Sequence, residues 1–175
     1  LGEGRGEAML VLLPYDRAAA VRYAHIWAYG RNPRYYDYES IGGDCTNFAS
    51  QCIYAGTGVM NYTPTFGWYY INANDKAPAW TGVEYLYNFL TRRTPSVGPF
   101  AGEVSPERIR PGDIVQLSFD GAGWQHSPVV VADRPRSYAD ILVAAHSFDA
   151  DDRPLSTYEF ARARFLHLGG VYRQG

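Results

Sequence analysis

A chain of 175 residues with 16 Lys and Arg against 18 Asp and Glu has a formal net charge of -2. It lacks the positive surplus of a nucleic-acid face or a polybasic membrane anchor. At 46% hydrophobic residues it can bury a core without disulfide or metal staples, and no apolar run reaches the ~20 residues that span a bilayer. One domain over residues 1–175 is predicted, monomeric, with 1–14 as an N-terminal extension. The Ala8–Leu13 run is too short, and too poor in preceding positive charge, for a signal peptide. The compartment stays open; a secreted or cell-surface protein whose leader is absent from this chain is expected.

Asp16 is placed to cap a helix over "RAAAVRYAHIWAYG", with Val21, Ala24 and Trp27 or Ala28 on one face and a stop at Gly30 and Asn32-Pro33. The tyrosine-rich connector "RYYDYESIGGD" follows. A second helix is predicted from Cys45 to about Tyr54, closed by Gly56 and Gly58. "TPTFGWYYINANDKAPAW" reads as irregular. Thr81 and Glu84 form a T-x-x-E capping box for "GVEYLYNFLTRR", with Trp80 set to staple onto Tyr85 and a stripe of Val83, Leu86, Phe89 and Leu90.

Thr94 to Pro111 reads as a long surface connection, rich in Pro and Gly. Beyond it come strand patterns: "DIVQLSF", "HSPVVVAD", "DILVAAHSF" and "RFLHLGGVY", with turn clusters at Asp120-Gly121 and Asp133–Ser137. Helices first and strands afterwards predict an α+β fold with N-terminal helices packed on an antiparallel β-sheet.

Both cysteines lie in "GGDCTNFASQC". Seven helical residues rise about 10.5 Å, beyond the roughly 7 Å between Cα atoms that a disulfide tolerates. C-x6-C is not a zinc spacing, and no His lies close by in sequence. Cys52 falls on the apolar side with Phe48 and Ala49 and reads as packing. Cys45 follows Gly42-Gly43-Asp44, so Asp44 as N-cap sets it in the first turn of a helix. Free N–H groups and the helix dipole favour a thiolate there, and Asp44 opposes it. A nucleophile and a capped core thiol are the two readings of the segment.

A nucleophilic thiol needs a base. His25 lies inside the first helix and His167 alternates towards solvent in the last strand. His126 opens a strand after the Gly-rich turn carrying Trp124, and His146 ends the next strand. If those strands form a hairpin, His146 returns beside His126 as the partner that fixes its tautomer.

"GGDCTNF" with "RPGDIVQL" and "HSPVVVAD" resembles the NlpC/P60 and CHAP peptidases. The longer run "YDRAAAVRYAHIWAYGRNPRYYDYESIGGDCTNFASQC" is more similar still to the Putative amidase domain family, over Tyr15 to about Leu168. Pro128 after the H-S pair and the 20 residues between the histidines depart from the compact pattern. The resemblance implies a papain-like α+β fold, with Cys45 as nucleophile, His126 as base and His146 as the orienting residue. It also implies an oxyanion donor among Tyr35, Tyr36 and Tyr38. Asp44 and Trp124 are further substrate-side candidates, and Trp68, Tyr69 and Tyr70 either wall a groove or fill the core.

The activity implied is thiol acyl transfer on a peptide or amide substrate, peptidoglycan among them, without metal or other cofactor. A binding module on the same fold, and a thiol acyltransferase or transglutaminase-like enzyme, are the rivals.

Overall fold

The computed structural model describes residues 9–132 and 138–175. The turn expected at Asp133–Ser137 lies outside them. Helices α1 (Arg17–Trp27), α2 (Cys45–Thr57), α3 (Pro78–Thr81) and α4 (Val83–Leu90) precede most of the sheet, and every described strand pair is antiparallel. This is the α+β class read from the pattern.

The Asp16 cap forms: its carboxylate accepts from the Ala19 N–H at 3.0 Å. Helix α2 runs past Tyr54 to Thr57 and closes at Gly58, whose φ of 65° is left-handed and whose N–H donates to the Tyr54 carbonyl at 2.8 Å. Gly56 is not a stop signal. A Cβ there would lie 2.4 Å from the Tyr15 ring, so glycine is what lets the end of α2 dock on the start of α1.

The main sheet has strands β1 (Leu10–Leu13), β4 (Gly98–Val104), β5 (Ile114–Ser118), β6 (Val129–Ala132), β7 (Leu142–Ala145), β8 (Ala150–Pro154) and β9 (Arg162–Gln174). A two-stranded ribbon, β2 (Tyr70–Asn72) with β3 (Asp75–Lys76), stands apart. The main order is β1-β9-β5-β6-β7-β8, with β4 also on β9. Val171 and Tyr172 each pair with both β1 and β4, so those strands flank β9 on opposite sides.

Four sequence expectations are corrected here. Residues 10–13 of the supposed extension are a sheet strand. The supposed connection over 94–111 contains β4, whose Gly98-Pro99 disguises a strand that, among the described residues, pairs on the β9 side alone, where a proline is tolerated. The irregular segment contains the β2–β3 ribbon. The capping box does not form: α3 ends at Thr81, Gly82 caps α4 without a side-chain bond, and Trp80 is buried while Tyr85 is exposed.

Both faces of the sheet are apolar, which explains the near-continuous β-branched runs. Ile114, Val129, Val131, Ala144 and Leu166 meet α1 and α2, together with Phe48, Trp68 and Trp80. Val115, Leu117, Val130, Val143 and Phe165 meet Ile109, Ile141, Leu155 and Tyr158 on the other face. No helix is long and apolar enough to cross a membrane among the described residues.

Candidate active site

The segment around Cys45 is almost wholly buried from Asp44 to Ile53, and its polar side chains have structural partners. Asn47 accepts the Trp80 indole N–H at 2.9 Å, and Ser50 accepts that of Trp68 at 3.1 Å. Gln51 accepts the Tyr23 hydroxyl at 2.5 Å, and the Thr46 and Ser127 hydroxyls lie 3.2 Å apart. Polar residues on a buried helix are thus each satisfied. Cys52 is fully buried in the core, and both thiols are free.

Asp44 takes the expected N-cap position of α2, but its side chain makes no cap bond to the helix backbone. Its carboxylate accepts from the Tyr38 N–H and the Asn47 amide, both at 2.9 Å, and from His146 Nδ1 at 2.5 Å. His146 Nε2 lies 2.8 Å from the Trp27 carbonyl at the end of α1, and the ring stacks on Phe48. Each imidazole nitrogen of His146 thus has a polar partner, a carboxylate on one side and a main-chain carbonyl on the other. Asp44 and His146 are therefore a buried hydrogen-bonded pair, with Arg31 3.8 Å from the same carboxylate. The Asp44 N–H donates to the Ser147 hydroxyl at 3.1 Å and ties the Gly42-Gly43 turn to the end of β7.

Strands β6 and β7 pair antiparallel, but their register separates the histidines. Val129 pairs with Ala144 and Val130 with Val143. Continued outward, that register sets His146 across from Ser127, one residue out of phase with His126. In a strand that is the opposite face. His146 accordingly points to the helices, and His126 to the Tyr158 side, its ring 5.6 Å from that of Tyr158. With both its nitrogens engaged, His146 is not the orienting partner of His126.

Cys45 and His126 both line one cavity of about 600 Å³. Gly42, Gly43 and Ser147 line it too, as do Arg153, Tyr158 and Glu159 from the end of β8 and the turn after it; Phe119, Gln125 and Phe148 complete it. Cys45 Sγ lies 3.7 Å from the Gln125 carbonyl and from the Thr46 hydroxyl. Burial pushes the Cys45 thiol up, against the lowering influence of the Thr46 hydroxyl and of the Ser127 and Thr46 N–H groups. That reverses the depressed thiol expected from the helix terminus. Burial, with the nearby Arg153 charge, lowers His126 to about 4. Both shifts favour a neutral thiol beside a neutral imidazole. His126 Nε2 is sealed in without a hydrogen-bond partner, which leaves Nδ1 as the nitrogen available to the cavity.

The three candidate tyrosines lie elsewhere. Tyr35 stacks on Trp80, the Tyr36 N–H donates to the Tyr70 hydroxyl, and the Tyr38 hydroxyl donates to the Ala73 carbonyl. Trp124 lies under Arg162 and Arg164, outside the Cys45 cavity. Trp68 and Tyr70 are core residues. Arg153 and Tyr158, on "DDRPLSTYEF", escaped the sequence reading because no spacing links them to Cys45; β8 and the turn after it carry them there.

His25 pairs with Asp151 at 2.8 Å on the surface, and Asp152 brings a third candidate metal ligand within 4.8 Å. With His25 Nδ1 already bonded to Asp151, the cluster carries no metal assignment.

The model of a family described as "Putative amidase domain" matches residues 14–168. The chain is 32% identical over 152 residues to "Uncharacterized protein YhbB" of Bacillus subtilis (strain 168); the match covers 85% of this chain and 46% of that protein. It therefore spans about half the length of that relative. No solved structure matches.

Proposed function

Because the chain belongs to the Putative amidase domain family, we propose that this amidase-type hydrolase cleaves its amide through a Cys45 thioester. One observation carries the reading: residues 81 positions apart, on α2 and before β6, line one cavity with a thiol and an available imidazole nitrogen.

Cys45 Sγ attacks the carbonyl carbon as its proton passes to His126 Nδ1. The first-turn N–H groups of α2, which have no intrahelical acceptor, are the candidate donors to the developing oxyanion. Collapse breaks the C–N bond while His126 returns the proton to the departing amine. Water then adds to the thioester with His126 as base, releasing the carboxylic acid and the thiol. A low-pKa imidazole stays neutral at neutral pH, so it is always ready to accept, and the thiolate exists only during attack. Asp44 and His146 hold the turn before Cys45 and do not touch the reacting atoms. Peptidoglycan peptides are the first substrates to try, for a secreted or surface-exposed enzyme.

The test is release of new amine from peptidoglycan fragments and simple peptide amides by the wild type, Cys45→Ala and His126→Ala. Loss of turnover in Cys45→Ala, with fragment binding intact, supports the thioester route; full turnover in that variant ends it. A binding module is the competing reading, favoured by the Cys45 thiol hydrogen-bonding to Gln125 and not to His126. It requires fragment binding without turnover in the wild type.

A further inference from the structure

We propose that Arg153 makes the cavity over Cys45 a receptor for a carboxylate, so that the preferred amide substrate carries an acid group within reach of the scissile bond. This rests on Cys45 and His126 being the reacting pair.

Arg153 lies on β8 and lines the same cavity as both residues. Its guanidinium is fixed from behind: Nε donates to the Thr157 hydroxyl at 2.7 Å and Nη2 to the Thr157 carbonyl at 3.1 Å. The Thr157 hydroxyl in turn donates to the Pro154 carbonyl at 2.7 Å, closing the turn that carries them. The guanidinium carbon lies 3.6 Å from the centroid of the Tyr158 ring. The side-chain entropy of ordering a long cation is therefore already lost before a ligand arrives.

Those bonds use only part of the guanidinium's five N–H groups, its charge also acts on the neighbouring Tyr158 hydroxyl, and Arg153 forms no ion pair among the described residues. The contrast within the molecule is plain: Arg17, Arg31 and Arg164 each hold a carboxylate. Glu159 stands exposed on the cavity wall and is not paired with Arg153. A planar, half-buried guanidinium with open donors suits a carboxylate in the fork geometry that a Lys ammonium cannot offer. Its charge also opposes protonation of His126. An anion seated on Arg153 offsets that charge and makes His126 the better base, so an acidic substrate is both held and activated.

The test compares alkylation of Cys45 by iodoacetate and by iodoacetamide, near-isosteric reagents that differ in charge, followed by peptide mass spectrometry. Their rate ratio cancels the intrinsic reactivity of the thiol. The folded wild type should show a ratio about tenfold above that of the urea-unfolded chain, equivalent to about 1.4 kcal/mol. Added salt should shrink it. Arg153→Gln should return it to the unfolded value, Arg153→Lys should keep part of it, and Glu159→Gln should raise it. A wild-type ratio at or below the unfolded value overturns the proposal without recourse to any variant, as does a ratio unchanged in folded Arg153→Gln. The two readings fail separately. Turnover that survives Cys45→Ala removes the nucleophile, while the alkylation ratio still reports on Arg153.

Discussion

Acidification should unfold this protein partly through one histidine. His126 is buried, its Nε2 has no partner, and the Arg153 charge adds to the cost of protonating it; its pKa falls to about 4. In the unfolded chain the same side chain titrates near 6.5. Between those values the unfolded state binds the proton and the folded state does not, so stability falls as pH falls. The loss begins below about pH 6.5, reaches about 3 kcal/mol at pH 4, and levels off once the folded-state imidazole is also protonated. Urea unfolding of wild type and His126→Asn at pH 7, 6, 5 and 4 measures it, because other titrating groups are common to both proteins and largely cancel. The wild type should lose about 3 kcal/mol more than the variant between pH 7 and pH 4. Parallel curves within about 0.5 kcal/mol, or an NMR midpoint near pH 6.5 for the His126 ring, would refute the burial argument.

With its thiol pushed up by burial, Cys45 should react with iodoacetamide at a rate still climbing above pH 9; a plateau near neutrality would mean a preformed thiolate. Removing His146 takes away one hydrogen-bond partner of the buried Asp44 carboxylate and the ring stacked on Phe48, so His146→Ala should cost about 1–3 kcal/mol in urea unfolding. A cost below about 0.5 kcal/mol would show that the buried contact contributes nothing. Asp113 is fully buried and accepts from Arg17, His167 and the N–H groups of Arg110 and Leu168, so Asp113→Ala should lose about 3–5 kcal/mol by the same measurement. Gly56→Ala forces a methyl into the Tyr15 ring, which the hydroxyl bond to the Gly112 carbonyl holds in place; a Tm drop equivalent to about 1–3 kcal/mol is expected.

What the sequence determined by itself was whatever depends on neighbours along the chain. The Asp16 cap, the α2 start at Cys45, the helical stripe of Leu86, Phe89 and Leu90 and the strands at 114–118, 129–132 and 142–145 follow from local periodicity and capping. The incompatibility of a Cys45–Cys52 disulfide with an intact helix follows from the same geometry. Strands β1 and β4 were hidden because each is defined by its partner β9 and not by its own residues.

The site divides in the same way. Cys45 and His126 were legible as a thiol at a helix mouth and an imidazole beside a flexible turn, and they do share a cavity. The role expected of His146 failed on a single residue of strand phase, which the spacing of 20 cannot reveal because it depends on the register of the pairing. Asp44 likewise became the partner of His146 because α2 and the end of β7 pack together, 102 positions apart. Arg153 and Tyr158 join the cavity only through the tertiary fold, and the raised Cys45 thiol follows from its burial there. Burial, charge proximity and strand phase are properties of the packed molecule, and they decided which of the legible residues can react and what else stands beside them.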